Sequence, residues 1–430
     1  MESSYMIIGL VLLGCMACYI PVFMCLFFTA VIGFLITGKP ILFLFNSFFL
    51  SMDKFALVVV LFFILCGNIM TAGSIVDKLI KVANALVSWL PGGLGMAAII
   101  ACGLFGAISG STVATVVALG GFMIPALLEN GYDEEYTLGL MTTSPNLGVI
   151  IPPSIGMILY SMISNVSLEG LFLTGFMPGL LIILGTCIYT FLVFRKNKTI
   201  VRKPIPNFKN VLLVLKEGFW SLMLPVIIFG GIFSGAFTAN EAAVVACVYA
   251  FFVELFIHRS IKFSDVKKIT VNSAVTSASL LIIVAGATCF GRYLTFENIP
   301  GQITEAVLQS IQSPVVFLFA INILLLIIGM FMDIISATLI LGPVFLPMLD
   351  AFQVDPLHFG LIMTVNLAIG YCTPPMGVSL YITGAIGKRD LIFVSKAVIP
   401  FLIIQVFVLM LITYLPDVVL ALPKMMGFVY

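Results

Sequence analysis

The chain reads as an all-α polytopic membrane protein with two inverted-topology repeats, re-entrant hairpins and discontinuous helices. Three observations predict this. Of 430 residues, 61% are hydrophobic and 9% charged, whereas a soluble domain carries roughly 25% charge. Apolar runs long enough to cross about 30 Å of hydrocarbon recur throughout. They are continuously apolar, unlike the alternating strands of a β-barrel. Second, Gly120, Pro125, Gly148, Pro152, Pro153 and Pro178 recur 222 positions later as Gly342, Pro347, Gly370, Pro374, Pro375 and Pro400. Third, basic segments punctuate the runs. Arg195, Lys196, Lys198, Arg202, Lys203 and Lys209 form one. Arg259, Lys262, Lys267 and Lys268 form another, and Lys388 with Arg389 a third. Positive loops belong on the cytoplasmic side.

The elements follow in order. Met6–Thr37 is one tilted helix or two short ones broken near Pro21. With no basic n-region or cleavage site, this run is expected to be retained. Asp53 and Lys54 precede a span and are expected to face a partner subunit. The stretch Asp77–Trp89, with Lys78 and Lys81, is an amphipathic interfacial helix. Pro91–Asn130 then forms two short arms around the tip Ser109-Gly110-Ser111, entering from the cytoplasm. A broken span, Tyr136–Ile163, runs outward, and Leu171–Phe194 returns to the first basic segment. Phe219–Ser234 and Ala239–Ile257 go out and back, ending at the second basic segment. Thr270–Phe290 leads outward to a second amphipathic helix at Ile303–Ile311. Ser313–Asp350 holds two arms of about 17 residues around Met332-Asp333. The acidic stretch Asp350–His358 is external, so this pair re-enters from outside. The broken span Phe359–Gly387 runs inward to Lys388. The two broken spans thus oppose each other, and the repeat is inverted. The chain divides into scaffold and arm at 1–90, hairpin and broken helix at 91–194, and the corresponding units at 195–312 and 313–430.

Composition also excludes functions. A net charge of +1 argues against nucleic acid. The nine cysteines are scattered through apolar runs and read as packing residues. His258 and His358 stand alone near span ends and read as neither metal ligands nor proton relays. There is no Walker A pattern and no nucleophile–base pair, so neither ATP hydrolysis nor catalysis is expected of this chain. The remaining fuel is an ion gradient, worth about 2.3 kcal/mol per charge per 100 mV of membrane potential.

The chemistry concentrates at the breaks. In Ser109-Gly110-Ser111-Thr112 small hydroxyl residues let backbones approach, and the second arm directs free N–H groups and a positive dipole end at the membrane's middle. In Ser144-Pro145-Asn146-Leu147-Gly148 and Ile151-Pro152-Pro153-Ser154 two prolines withdraw two N–H donors, so upstream carbonyls lose their partners. At this depth such carbonyls need a substitute, and a dehydrated Na+ is one. Asn366, Gly370 and Thr373-Pro374-Pro375-Met376-Gly377 repeat the arrangement. Asp333 stands where the first half has Ser111. An acid at bilayer depth marks a ligand site, and it also suits an N-cap donating to no one but accepting from Ser336. Thr238-Ala239-Asn240-Glu241 reads as a capping box. Arg292 and Glu297 are expected in an interface, and Trp89 and Trp220 as interfacial anchors.

The segments GAISGSTVATVVALGGFMIPALLENGYD, SPNLGVIIPPS, GMFMDIISATLILGPVFLP and NLAIGYCTPPMGVSLY resemble the large membrane subunit of tripartite ATP-independent periplasmic (TRAP) transporters. The resemblance covers essentially the whole chain. It implies the ion-transporter fold, with a transport domain moving like an elevator against a scaffold, in the bacterial inner membrane. It implies Na+ as the coupling ion and an organic acid as substrate, sialic acid foremost and C4-dicarboxylate next. The implied partners are a small four-helix membrane subunit on a separate chain and a soluble periplasmic binding protein. It puts the substrate carboxylate near Ser109, Ser154 and Asp333. One Na+ falls to Ser111, Asn146, Gly148 and Pro152, another to Gly329, Ser336, Gly370, Thr373 and Met376. The rival readings are a stand-alone Na+/anion symporter of the same fold and an ion channel.

Overall fold

The computed structural model describes residues 8–12, 14–15, 18, 20–196 and 207–428, among which no strand occurs. Lys198, Arg202 and Lys203 of the first basic segment lie outside them. Helix α1 (Val22–Ile36) begins directly after Pro21, whose ring lacks the N–H a helix interior needs. A separate helical stretch at residues 8–12 precedes it, so the run is divided near Pro21. Helices α2 (Leu42–Met52) and α3 (Ala56–Ala72) meet at 51° around Asp53 and Lys54. The arm helix α4 (Ile75–Val87) buries Ile75, Val76, Leu79, Ile80, Val82 and Ala83, one face at helical spacing.

The first hairpin is α5 (Gly93–Ser109) and α6 (Thr112–Glu129). The first broken helix comprises α7 (Glu134–Thr143), a tight turn at Ser144–Asn146, α8 (Leu147–Ile150) and, after the prolines, α9 (Ile155–Ser164). Helix α10 (Leu168–Phe194) closes the half. The second half opens with α11 (Phe208–Phe233) and α12 (Ala239–Phe252), which widens into a π-helical turn at Val253–Ile257. Helix α13 (Phe263–Phe296) has 34 residues, about 51 Å at 1.5 Å per residue. It extends past both ends of the expected Thr270–Phe290, its first turns carrying the charged residues Asp265, Lys267 and Lys268. The second arm helix α14 (Ile299–Ser310) begins four residues before the expected start. Then come the hairpin α15 (Pro314–Phe331) and α16 (Ile334–Ala351), and the broken helix α17 (Pro356–Gly370) and α18 (Val378–Gly387). Helices α19 (Leu391–Ala397) and α20 (Ile399–Tyr414) meet at 52°, and α21 (Pro416–Met425) follows. Both arms of the second hairpin have 18 residues, close to the expected length.

Contacts establish the inversion. Glu134, at the start of the first broken helix, pairs with Arg389, at the end of the second. Tyr160, near the end of the first, donates its hydroxyl to Pro356 O at the start of the second, 2.9 Å away. Between them the Cys372 thiol donates to Thr142 O at 3.0 Å. The two broken helices therefore run antiparallel and cross at their breaks. Each far segment packs on the other half's hairpin, α18 on α6 and α9 on α16. The scaffold gathers around α13, which lies on α1, α2 and α3, while α12 lies on α3. The capping box at Thr238 and Glu241 is present.

Candidate transport site

The first tip turns at Gly110, whose φ of +62° is the left-handed region where glycine is favoured. A Cβ there would also lie 2.8 Å from Pro153 O. Ser111 N-caps α6, accepting from Ala114 N at 3.4 Å. The tip is docked on the first break: Ile155 N donates to Gly110 O at 3.4 Å. Closer approach occurs one turn below. A Cβ on Gly106 would meet Gly148 Cα at 2.5 Å, and one on Gly148 would meet Thr115 Oγ1 at 2.7 Å and Ser111 O at 3.0 Å. Ser111 O, Thr115 and Gly148 thus share one spot. The Thr115 hydroxyl donates to Ser111 O at 2.8 Å and lies 3.2 Å from Ser109 Oγ. Thr115 was not singled out in the sequence, where it reads as one more hydroxyl in a helix.

The second tip repeats the plan. Gly370 lies against Gly329, where a Cβ would come within 2.6 Å of Gly329 Cα. Asp333 caps α16, its Oδ2 accepting from Ser336 N at 2.9 Å, so the capping reading holds. The two halves also meet: a Cβ on Gly156, two residues beyond Ser154, would lie 3.0 Å from Ile334 Cγ2. Ser109, Ser154 and Asp333 are therefore linked through neighbours at one junction, Ser109 and Ser154 buried and Asp333 half-buried. Ser154 caps α9, accepting from Met157 N at 3.4 Å.

Other expected ligands have settled contacts. The Asn146 amide donates to Gln405 Oε1 at 2.9 Å, and its Oδ1 accepts from the Cys372 thiol at 3.3 Å. Asn366 donates to Asn322, which in turn donates to Thr413 Oγ1 at 3.1 Å. Thus α20 braces both broken helices, through Gln405 and Thr413. Sequence reasoning missed Gln405, Asn322 and Thr413, although polar side chains inside apolar runs were a usable signal. The Thr373 hydroxyl donates to Ile369 O at 2.8 Å. Gly370 O accepts from Thr373 N and Tyr371 O from Ser379 N, so these two carbonyls recover partners inside the break. Pro152 and Gly148 are buried, whereas the Met376 side chain is 52% exposed. Each tip keeps one buried hydroxyl without a partner, Thr112 Oγ1 and Ser336 Oγ.

A cleft of ≈500 Å³ opens among α2, α13, α16 and the end of α9, lined by Ser47, Lys54, Asn165, Arg292, Pro343 and Pro347 among others. Arg292 Nε reaches Ser47 Oγ at 3.4 Å. Among the described residues neither Lys54 nor Arg292 pairs with a carboxylate. Asp53 and Lys54, expected to face a partner subunit, are both exposed at the bend between α2 and α3, and Lys54 lines this cleft. Glu297 pairs with Lys39 at 2.5 Å.

Re-entrant hairpins docked on opposed broken helices define a secondary-transporter fold. A solved structure with that fold, the Alcanivorax borkumensis YdaH transporter, superposes with a TM-score of 0.63 over 87% of this chain and 88% of its own, at 14% identity. Residues 9–418 match the family model described as "Tripartite ATP-independent periplasmic transporter, DctM component". The chain belongs to this family, and is thus the large permease of a TRAP transporter for organic acids. It is 40% identical over 379 residues to the C4-dicarboxylate TRAP transporter large permease protein DctM of Pseudomonas aeruginosa, covering 88% of each chain. It is 34% identical over 417 residues to the sialic acid TRAP transporter large permease protein SiaM of Vibrio cholerae, covering 96% of this chain and 97% of the relative. It is 37% identical to the isethionate TRAP transporter permease protein DctMQ of Oleidesulfovibrio alaskensis, covering 86% of this chain and 58% of that protein.

Proposed function

We propose that this permease imports an organic acid across the bacterial inner membrane on a Na+ gradient, by elevator movement of its hairpins and broken helices against the scaffold. The observation that carries the reading is the pair of buried, unpartnered tip hydroxyls, Thr112 Oγ1 and Ser336 Oγ. Each belongs to a hairpin whose backbone packs against a proline-broken helix, Gly110 on Pro153 and Gly329 on Gly370. Buried polar atoms without partners are costly, and a dehydrated cation relieves that cost. Ser111, Asn146, Gly148 and Pro152 would hold one Na+, and Gly329, Ser336, Gly370, Thr373 and Met376 the other, the last through main-chain oxygen. Pro152 and Pro153 supply no N–H to Gly148 O and Val149 O, which supports the first site. The substrate carboxylate would meet the helix N-termini at Ser109 and Ser154, with Asp333 taking a substrate hydroxyl or amide or offsetting a Na+ charge.

The unpaired Lys54 and Arg292 suit an anion entering the cleft. Two cations, together with the 40% identity to a C4-dicarboxylate permease, favour a dicarboxylate. The SGS, PPS and FMD elements favour sialic acid. A separate small membrane subunit and a soluble binding protein complete the transporter. The test is uptake of labelled succinate and N-acetylneuraminate into proteoliposomes with those partners. Accumulation with external NaCl, lost when choline replaces Na+ or the binding protein is omitted, is expected. Uptake indifferent to Na+ would refute the coupling. Uptake without the binding protein would favour the stand-alone symporter.

A further inference from the structure

Glu254 is an acid inside the second repeat with a fully buried side chain. It lies in the π-helical turn that ends α12, and such turns recur at functional positions. Its Oε1 accepts from Ser74 N at 2.8 Å and Ile75 N at 2.7 Å, the first amides of arm helix α4. Its Oε2 accepts from the Ser74 hydroxyl at 3.4 Å and from the Ser260 hydroxyl. His258 Nδ1 stands 3.8 Å from the same oxygen and 3.2 Å from Ser74 Oγ. The carboxylate thus occupies the positive end of the α4 dipole, from another helix 179 residues away in sequence. Gly73 leaves it room: a Cβ there would lie 2.2 Å from Glu254 Cδ. The far end of α4 leads into the hairpin through a tight glycine turn. Gly92 has φ +73°, and a Cβ on Gly93 would strike Val87 O at 2.5 Å. So α4 is gripped at its scaffold end and joined by glycines to the hairpin it leads into.

The other half shows a counterpart. Shifted by the repeat interval, α12 corresponds to α1 and α4 to α14. Lys39, just after α1, donates to Phe296 O at 3.1 Å and pairs with Glu297 at 2.5 Å, immediately before α14. Each arm helix is therefore tethered at its start from the end of a helix in the opposite half, α12 for α4 and α1 for α14, and these two helices correspond to each other.

We infer that Glu254 is the fixed pivot of the first arm helix, a positioning residue about which α4 swings as the hairpin moves. This rests on the elevator reading. With the pivot gone, the arm slips instead of levering, and the movement slows while the sites remain intact. The test needs no substrate. The full chain in lipid nanodiscs, with Cys18→Ser, is labelled at Val271→Cys on α13 and Ile392→Cys on α19, both exposed. Single-molecule distance jumps are counted in NaCl and in KCl, and hydrogen exchange is followed at Ser74 and Ile75. Glu254→Ala is expected to speed that exchange and to lower the jump frequency, each about tenfold. Glu254→Gln, which keeps an acceptor and the fold, is expected to fall between. Lys39→Met, a more exposed tether, is expected to slow the jumps less. Faster exchange with undiminished jumps would reduce Glu254 to a helix cap and overturn the pivot alone. Unchanged exchange would overturn it too. A parent chain whose labels never move in either salt would sink the elevator reading and the pivot together.

Discussion

Asp333 shows how one side chain serves two ends. Its carboxylate caps α16 through Ser336 N, and it borders the junction where Ser154 and the second tip meet. The two duties separate by substitution. Asparagine caps as well as aspartate, and alanine does not, at a cost of about 1 kcal/mol. Asp333→Asn is therefore expected to match the parent's melting temperature while losing uptake. Asp333→Ala is expected to lose both. An Asn variant that transports normally would leave Asp333 only its cap. The sequence displayed Asp333 because an acid in an apolar run is conspicuous. It displayed Glu254 just as plainly, yet that acid's partners, two backbone amides from a distant helix, carry no mark in the residues themselves. The sequence marked Lys54 as a charge before a span, but the cleft it lines depends on a 51° bend that local charge does not encode.

At the scale of elements, the glycine contacts hold each tip to its break. Gly370→Ala puts a methyl within 2.6 Å of Gly329 backbone, and backbone cannot rotate away as a side chain would. Such overpacking costs typically 1–3 kcal/mol, about what it takes to lower the melting temperature by several degrees. Thermal unfolding in nanodiscs checks this, with Gly121→Ala, where nothing lies within 4 Å, as the neutral control. Hairpins, breaks and arms were legible in advance because proline and glycine act on their own backbone. Proline removes a donor wherever it stands, and a Gly-rich tip turns wherever it falls. The bracing of both broken helices by α20 was not legible. Gln405 and Asn146 are 259 positions apart, and only packing brings them together. Helix ends also escaped: α13 and α11 continue well beyond the hydrophobic windows, since helix persists where polar residues leave the bilayer.

For the molecule as a whole, the joint between halves at His258 and Glu254 carries a pH dependence. Burial holds the His258 imidazole below its ordinary value of 6.5, with Glu254 pulling the other way and Lys78 adding to the depression. The folded protein therefore binds this proton less readily than the unfolded chain. Its contribution to stability is present above pH 6.5 and is lost as pH falls from there toward the lower folded value. Chemical denaturation between pH 7.5 and pH 5.5 is expected to show that decline, and His258→Gln is expected to flatten it. An unchanged slope in the variant would assign the decline to other groups.

The crossing of the two broken helices also bears on how the protein is made. Asn146 finds Gln405, and Tyr160 finds Pro356, only after the second half has been synthesised. At roughly 5–20 residues per second the ribosome needs roughly 13–50 s to cover the interval between Asn146 and Gln405. Throughout that delay an amide and a phenol wait in or near lipid without their mates, where each unmet polar group is expensive. The nascent first half thus needs shelter during translation, from the insertion machinery or a membrane chaperone.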